Sequence, residues 1–215
     1  MKSHPTFTIL GGQGALAAME MGARLVRAWA AQHVCTQDRD YPQMTVHSVP
    51  WNGISPAGVL NPDTNHPYWW ESALDKEPHT SIAMVACNTL TGVIPGHYRD
   101  HRIVHPWNSA VSLWSHEPLQ VLAGERVLHL SMPQAWTPRV DLFASISELI
   151  ALALRGQLTA ARNCAVQLRA QLHEPTLLAC TELSCVWPLD TTTTPTYDSM
   201  DAAITTALEL SRSAS

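Results

Sequence analysis

Ser81-Ile-Ala-Met-Val-Ala86 is an almost continuous apolar run with no polar alternation. A strand of that kind has no face to give to water, so it must be covered on both sides, as in a parallel sheet flanked by helices. Thr6-Phe-Thr-Ile-Leu10 likewise has strand composition and ends at Gly11-Gly12-Gln13-Gly14, after which Ala15 to Ala31 carries helical spacing. Met44 to Val49 predicts a further strand, stopped by Pro50, and Trp51 to Pro67 reads as loop. Arg126 to Leu130 is expected as a strand, Asp141 to Arg155 and Gln157 to His173 as helices, Thr176 to Ala179 as a short buried strand, and Ser199 to Ser211 as a terminal helix. Strands alternating with helices imply right-handed crossovers and parallel sheets, so the expected class is α/β.

One motif occurs twice. Val85-Ala86-Cys87-Asn88-Thr89 and Leu178-Ala179-Cys180-Thr181-Glu182 each take a buried strand directly into a cysteine with small polar neighbours. Two similar lobes follow as the expectation, each offering a thiol at a carboxyl strand end. The 215 residues suffice for this, because a chain of that size buries about 70% of its unfolded surface.

Composition removes several alternatives. Charged residues are 14% of the chain, against a usual share of about 25%, and 46% is hydrophobic, which excludes charge-driven disorder. Thirteen Lys and Arg against eighteen Asp and Glu leave a net charge of −5 with no basic run, so nucleic acid is not an expected partner. No apolar stretch approaches the roughly 18 residues that span a bilayer. The segment before Phe7 lacks the pattern of a signal peptide, and the expected location is cytoplasmic. Five cysteines without a Cys-x-x-Cys indicate neither a disulfide framework nor a structural zinc site.

In an open α/β sheet, ligands sit beyond the carboxyl ends of the strands. There the first amides of a helix can hold a carboxylate and are expected to lower a cysteine pKa from about 8.5. Two thiols facing each other across a cleft suit proton transfer at a carbon next to a carboxylate, one thiolate removing the proton and the opposite thiol returning one to the other face. Inversion at that carbon results. Asn88, Thr89, Thr181 and the turn amides of Gly12 to Gly14 are candidate donors to the carboxylate as it gains enolate character.

Ile9-Leu-Gly-Gly-Gln-Gly14, Ala86-Cys-Asn-Thr89, Ala179-Cys-Thr-Glu182 and Pro195-Thr-Tyr-Asp198, in that order, resemble the cofactor-independent aspartate/glutamate racemase superfamily, particularly its aspartate racemase branch. The resemblance implies two flavodoxin-like lobes, residues 1–112 and 113–195, with the helix of 196–215 returning to the first. It implies an isomerase with Cys87 and Cys180 as the acid/base pair, and substrate contacts from Asn88, Thr89, Thr181 and Ser131. Gly12, Gln13, Asn52 and Glu182 are further candidate contacts, with Glu182 either orienting a neighbouring group or favouring the helix N-terminus through its dipole. Ser131 closes the strand expected at Leu130. No pyridoxal phosphate and no metal are implied; the partners are a small amino-acid-like substrate and a second copy of the chain in a homodimer.

The departures from that pattern matter as much. Aspartate racemases carry an arginine shortly after the second strand to pair with the side-chain carboxylate, and here the stretch reads Val49-Pro50-Trp51-Asn52-Gly53, with no arginine between Arg39 and Arg99. Trp51, Trp69 and Trp70 would favour a less acidic or apolar side chain. Only about ten residues separate Ser131 from the helix expected at Asp141, which shortens the second lobe. A decarboxylase or isomerase of the same superfamily, or a ligand-binding protein on this scaffold, are the alternatives.

Two further patterns carry less. Gly12-x-Gly14-x-x-Ala17 with Asp38 imitates a dinucleotide fingerprint, but Asp38 precedes the second strand instead of ending it. His97 and His101, spaced i, i+4, are expected on a solvated helix face. Cys35, Cys164 and Cys185 have no polar context and are expected as structural thiols.

Overall fold

The computed structural model describes residues 5–11, 15–48, 69–78, 81–188 and 194–213. The first sheet has five strands: β1 (Thr6–Gly11), β2 (Gln43–Ser48), β3 (Ser81–Val85), β4 (His97–Tyr98) and β5 (His101–Val104). Their spatial order is β2-β1-β3-β5-β4, and all pairings are parallel except the β4–β5 hairpin. The second sheet, β6 (Leu119–Leu122), β7 (Trp136–Pro138), β8 (Thr176–Leu178) and β9 (Thr196–Asp198), runs β7-β6-β8-β9 and is parallel throughout. The helices are α1 (Ala15–Gln32), α2 (Trp69–Leu74), α3 (Pro106–Trp114), α4 (Phe143–Leu154), α5 (Leu158–Arg169), α6 (Thr181–Val186) and α7 (Ser199–Ser213). The chain is α/β with two parallel-dominated sheets, as its strand–helix alternation implies. Among the described residues no helix is long and apolar enough to cross a membrane.

The unbroken apolar run of β3 is explained by its packing. Ile82, Met84 and Ala86 point into one core with Phe7, Ile9, Met21, Leu25 and the α7 residues Ala203, Ala207 and Leu208. Ala83 and Val85 point into the opposite core with Leu10, Trp69, Trp70 and Leu90. Period-two alternation thus feeds two apolar layers instead of one layer and water. In the second sheet Leu122 and Leu178 pack against α4, α5 and α6, while Val121 and Leu177 meet Trp107 and Ala110 of α3. Helix α7 follows the last strand of the second sheet yet buries its apolar stripe largely on the first, with Ala202 reaching the core of the second.

Two glycines are fixed by geometry. A Cβ at Gly11 would stand 2.6 Å from Cβ of Ala18, so the close approach of β1 to the Ala-rich start of α1 requires glycine there. Gly156 has φ +73° and ends α4; its N–H bonds to Ala153 O and that of Gln157 to Leu152 O, the paired closure of a Schellman motif.

Several expectations are corrected. Arg126 to Leu130 is not a strand: Glu125–His129 is a 3-10 helix, and the strand of this region is β6, seven residues earlier. Leu128 is 40% exposed, so the apolar spacing of Val127, Leu128 and Leu130 does not describe a two-sided buried strand. Ser131 therefore closes no strand; it is exposed, and its carbonyl accepts the Trp107 indole N–H at 3.3 Å. His97 and His101 share no helix. They lie on the two strands of the hairpin, where His97 is exposed and His101 is buried with Nδ1 2.8 Å from Ser81 Oγ. The interval before α4 holds β7, an edge strand that tolerates Pro138 because its last position lies at the sheet margin.

Candidate active site

Both repeated cysteines stand at the carboxyl end of a central strand. Cys87 follows β3 and precedes a 3-10 helix, Asn88–Gly92; Cys180 follows β8 and precedes α6. Their backbones are alike and extended, φ −161° and ψ 123° at Cys87 against φ −139° and ψ 123° at Cys180. Each occupies the N-cap position of the following helix, the half-helical residue before the first unpaired N–H groups. The two turns are joined: Thr181 Oγ1 donates to the carbonyl of Ala86 at 3.1 Å.

The immediate partners of the thiols differ. Cys87 Sγ lies 2.9 Å from Thr89 Oγ1, while the Cys180 thiol donates to Glu182 Oε2 at 3.1 Å. Thr181 Oγ1 also lies 3.4 Å from that carboxylate oxygen. Asn88 is 2% exposed; its Nδ2 donates to Ser199 Oγ at 3.0 Å, and its Oδ1 has no hydrogen-bond partner.

Neither thiol is activated at rest, contrary to the expectation from the helix N-termini. Burial, and then the charge of Glu182, push Cys87 from an ordinary 9.0 up to about 11, against stabilising contacts from Thr89 and Leu90. Burial pushes Cys180 well above 9.0, and Glu182 adds to this both by its charge and by accepting the thiol proton. Backbone amides do pull each value down, but the following helices are only five and six residues long. Loss of water outweighs so short a dipole. Cys185, hydrogen bonded to Thr181 O at 3.1 Å, is raised to about 12 by burial and the same carboxylate.

A second network braces the Cys180 side. Arg24 of α1 reaches Asp198 Oδ2 at 2.6 Å, Asp201 Oδ1 at 2.8 Å and Glu20 Oε1 at 2.9 Å, and it also donates to the carbonyl of Ser184 on α6. Asp198 accepts from Ser184 Oγ at 2.7 Å and from the Met200 N–H at 2.9 Å, so it caps α7 as well. Burial raises the Asp198 carboxyl while Arg24 opposes the rise. Asp198 falls in the Pro195-Thr-Tyr-Asp198 segment noticed in the sequence. Arg24 had no such signal, being one of several polar residues on an Ala-rich helix.

Of the residues singled out in the sequence, the structure gathers Cys87, Asn88, Thr89, Cys180, Thr181 and Glu182 on the two joined turns. Ser131 is exposed beyond the 3-10 helix described above. Gly12, Gln13 and Asn52, with Trp51, lie outside the described residues. Trp69 and Trp70 are buried on α2 in the cluster that contains Cys87, and neither indole N–H has a hydrogen-bond partner. Asp38 sits in a short 3-10 helix ahead of β2 and is exposed.

Two parallel-dominated sheets, each with a cysteine at the carboxyl end of an inner strand, make up the α/β fold. Solved structures superpose on the chain over nearly its full length. An aspartate racemase from Picrophilus torridus matches with a TM-score of 0.72 at 13% identity, covering 97% of this chain and 94% of that one. A glutamate racemase from Francisella tularensis, solved in complex with D-glutamate, matches with a TM-score of 0.62 at 11% identity, covering 100% of this chain and 83% of that one. An aspartate racemase homologue from Pyrococcus horikoshii gives a TM-score of 0.55 at 13% identity, over 99% and 100% of the two chains. The fold is that of the aspartate and glutamate racemases. No protein-family model matches the sequence, and no curated protein matches it either.

Proposed function

We propose that the protein is a cofactor-independent amino-acid racemase or epimerase that inverts Cα by proton transfer between Cys87 and Cys180. The observation that carries this reading is the paired placement of the two thiols, each at the N-cap beyond a central strand of its own sheet, with Thr181 bonded to the carbonyl before Cys87. The likeness of fold to aspartate and glutamate racemases supports it.

In one direction the Cys87 thiolate takes the Cα proton, the electron pair of that C–H bond moves into the carboxylate as an enolate, and the Cys180 S–H delivers its proton to the opposite face of Cα. The turnover leaves Cys87 as thiol and Cys180 as thiolate, which is the starting state for the opposite enantiomer. Amides after the two cysteines, with the Thr89 hydroxyl, hold the carboxylate as it gains negative charge. The buried tryptophans beside Cys87 and the lack of an arginine between Arg39 and Arg99 favour a substrate side chain that is neutral or apolar over aspartate or glutamate. In solution the enzyme works as a homodimer in the cytoplasm.

Chiral chromatography tests the reading. Acidic, amide, aromatic and aliphatic amino acids of each hand are incubated with wild type and with the Cys87→Ser, Cys180→Ser double variant. Equilibration of at least one amino acid by wild type alone is expected; wild type that inverts none of the panel would sink the reading.

A further inference from the structure

The Pro195-Thr-Tyr-Asp198 segment singled out in the sequence takes no part in the proton transfer described above, yet its last residue stands where β9 runs straight into α7. β9 is an edge strand of the second sheet, and α7 buries most of its apolar stripe on the first. The junction Asp198-Ser199 thus lies between the two sheets, and its two side chains reach different cysteine turns. Asp198 Oδ1 accepts from Ser184 Oγ of α6 at 2.7 Å. Ser199 Oγ accepts at 3.0 Å from Nδ2 of Asn88, the residue after Cys87.

With the Thr181–Ala86 bond these contacts close a ring. From Ala86 the chain runs through Cys87 to Asn88, crosses to Ser199 and Asp198, and crosses again to Ser184, whose N–H bonds to the Cys180 carbonyl at 3.3 Å. It then returns from Thr181 Oγ1 to the Ala86 carbonyl. The backbone of both thiols belongs to this ring. Ser199, Asn88 and Ser184 are buried, so water does not compete for the bonds. The Asp198 carboxylate is further fixed, because Oδ1 takes the Met200 N–H at 2.9 Å and one planar guanidinium, that of Arg24, spans Oδ2 and the Ser184 carbonyl. Capping α7 uses the Met200 contact alone. The reach to Ser184 and to Asn88 does something else: it joins the two turns.

We propose that Asp198 and Ser199 are positioning residues for the reaction, a clamp that holds the Cys87 and Cys180 turns at the separation at which both thiols reach Cα. This rests on the two-thiol reading and deepens it. In this role neither side chain touches the substrate or moves a proton. An acid and a base on opposite faces of one carbon must both stand within reach of it at once, and a misplacement of about 1 Å can cost about a hundredfold in rate. Each arm serves one thiol: Ser199 holds the Cys87 turn through Asn88, and Asp198 holds the Cys180 turn through Ser184.

Deleting single hydroxyls cuts one arm at a time. Wild type, Ser184→Ala and Ser199→Ala are assayed on whichever of alanine, phenylalanine, asparagine and aspartate wild type inverts fastest, as both enantiomers, with hydrogen or deuterium at Cα. Each variant is expected to lower kcat about tenfold while KM stays within about twofold of wild type. The isotope effect carries the signature. Drawing one thiol back slows the transfer it makes, so the Cα deuterium effect rises on the enantiomer that this thiol deprotonates and falls on the other. Ser184→Ala and Ser199→Ala are therefore expected to shift it in opposite senses on each enantiomer. A general loosening of the fold moves both enantiomers together. Ser211→Ala, which removes a buried hydroxyl near the far end of α7, is expected to keep kcat and both isotope effects at wild-type values.

The clamp is overturned if wild type inverts an amino acid and the Ser184 and Ser199 variants either match it in kcat or shift the isotope effect in the same sense. The two-thiol reading fails differently. Wild type then inverts none of the four, or inverts one with Cys87→Ser and Cys180→Ser undiminished, and the clamp falls with it.

Discussion

The two cysteine turns occupy equivalent places in their sheets and share a backbone conformation, yet they hold different chemical company. Cys87 is followed by Asn88 and Thr89, and its sulfur lies against a hydroxyl, which steadies a thiolate. Cys180 is followed by Thr181 and Glu182, and its sulfur gives its hydrogen to a carboxylate, which opposes a thiolate. Strand-to-helix geometry places a thiol and burial raises it; the second residue beyond adds a further bias, Thr89 towards the thiolate and Glu182 against it. At rest the first turn offers a hydroxyl that steadies a thiolate, and the second a carboxylate that holds the thiol proton in place. The supports differ too. The Cys180 turn runs into α6, which is braced by Arg24 of α1, whereas Cys87 sits in the apolar cluster of Trp69, Trp70 and Leu90.

The largest effect should come from removing either thiol. Cys87→Ser and Cys180→Ser are each expected to lower the inversion rate by about a thousandfold, measured by chiral chromatography, since each face of Cα needs its own proton carrier. A variant that kept near-wild-type inversion would show that its turn takes no part in proton transfer. Next in size is the brace. The Arg24–Asp198 pair has side chains 12% and 10% exposed, and Arg24→Ala should cost about 3 to 5 kcal/mol in urea denaturation by leaving Asp198 buried and unpaired.

Alkaline pH separates the thiols from the rest of the protein. Cys87 is raised from 9.0 to about 11, so the folded state holds its proton while the unfolded chain gives it up. The stability this contributes is complete below pH 9 and lost as the pH climbs to 11, an amount of about 3 kcal/mol. Stability curves of wild type and Cys87→Ser across that window should diverge accordingly; parallel curves would mean that the Cys87 thiol is not shifted. The smallest effect probes the hydroxyl partner. Thr89→Val should cost Cys87 thiolate formation about 1 kcal/mol, read as slower iodoacetamide modification of that residue at pH 9, with Cys180 unchanged.

Much of this molecule is legible in the sequence wherever burial on both faces leaves a continuous apolar run. β3 and β8 are such strands, and both cysteines follow from them. Helices α1, α4, α5 and α7 announce themselves by length and spacing. The margins are harder to read. β7 is three residues with a proline, β9 is three residues of TYD, and β6 follows Pro118 with a polar Gln120 in its middle. Their pairing is decided by neighbours distant in the chain, not by their own composition. His97 and His101 mislead for the opposite reason: the i, i+4 spacing is real, but a turn at Arg99, whose φ is +50°, sets them on facing strands. The electrostatics of the site were the least legible. A helix N-terminus in a sequence suggests a lowered thiol pKa, and only the structure shows that burial and Glu182 reverse the sign.

The central claim is that two thiols serve opposite faces of Cα. It is tested most directly by running the inversion of a single enantiomer in D₂O and stopping it at low conversion. Two carriers predict a product enantiomer that carries solvent deuterium at Cα while the recovered starting enantiomer remains unlabelled. Deuterium appearing in the recovered starting enantiomer as fast as in the product would mean that one group serves both faces, and would contradict the account.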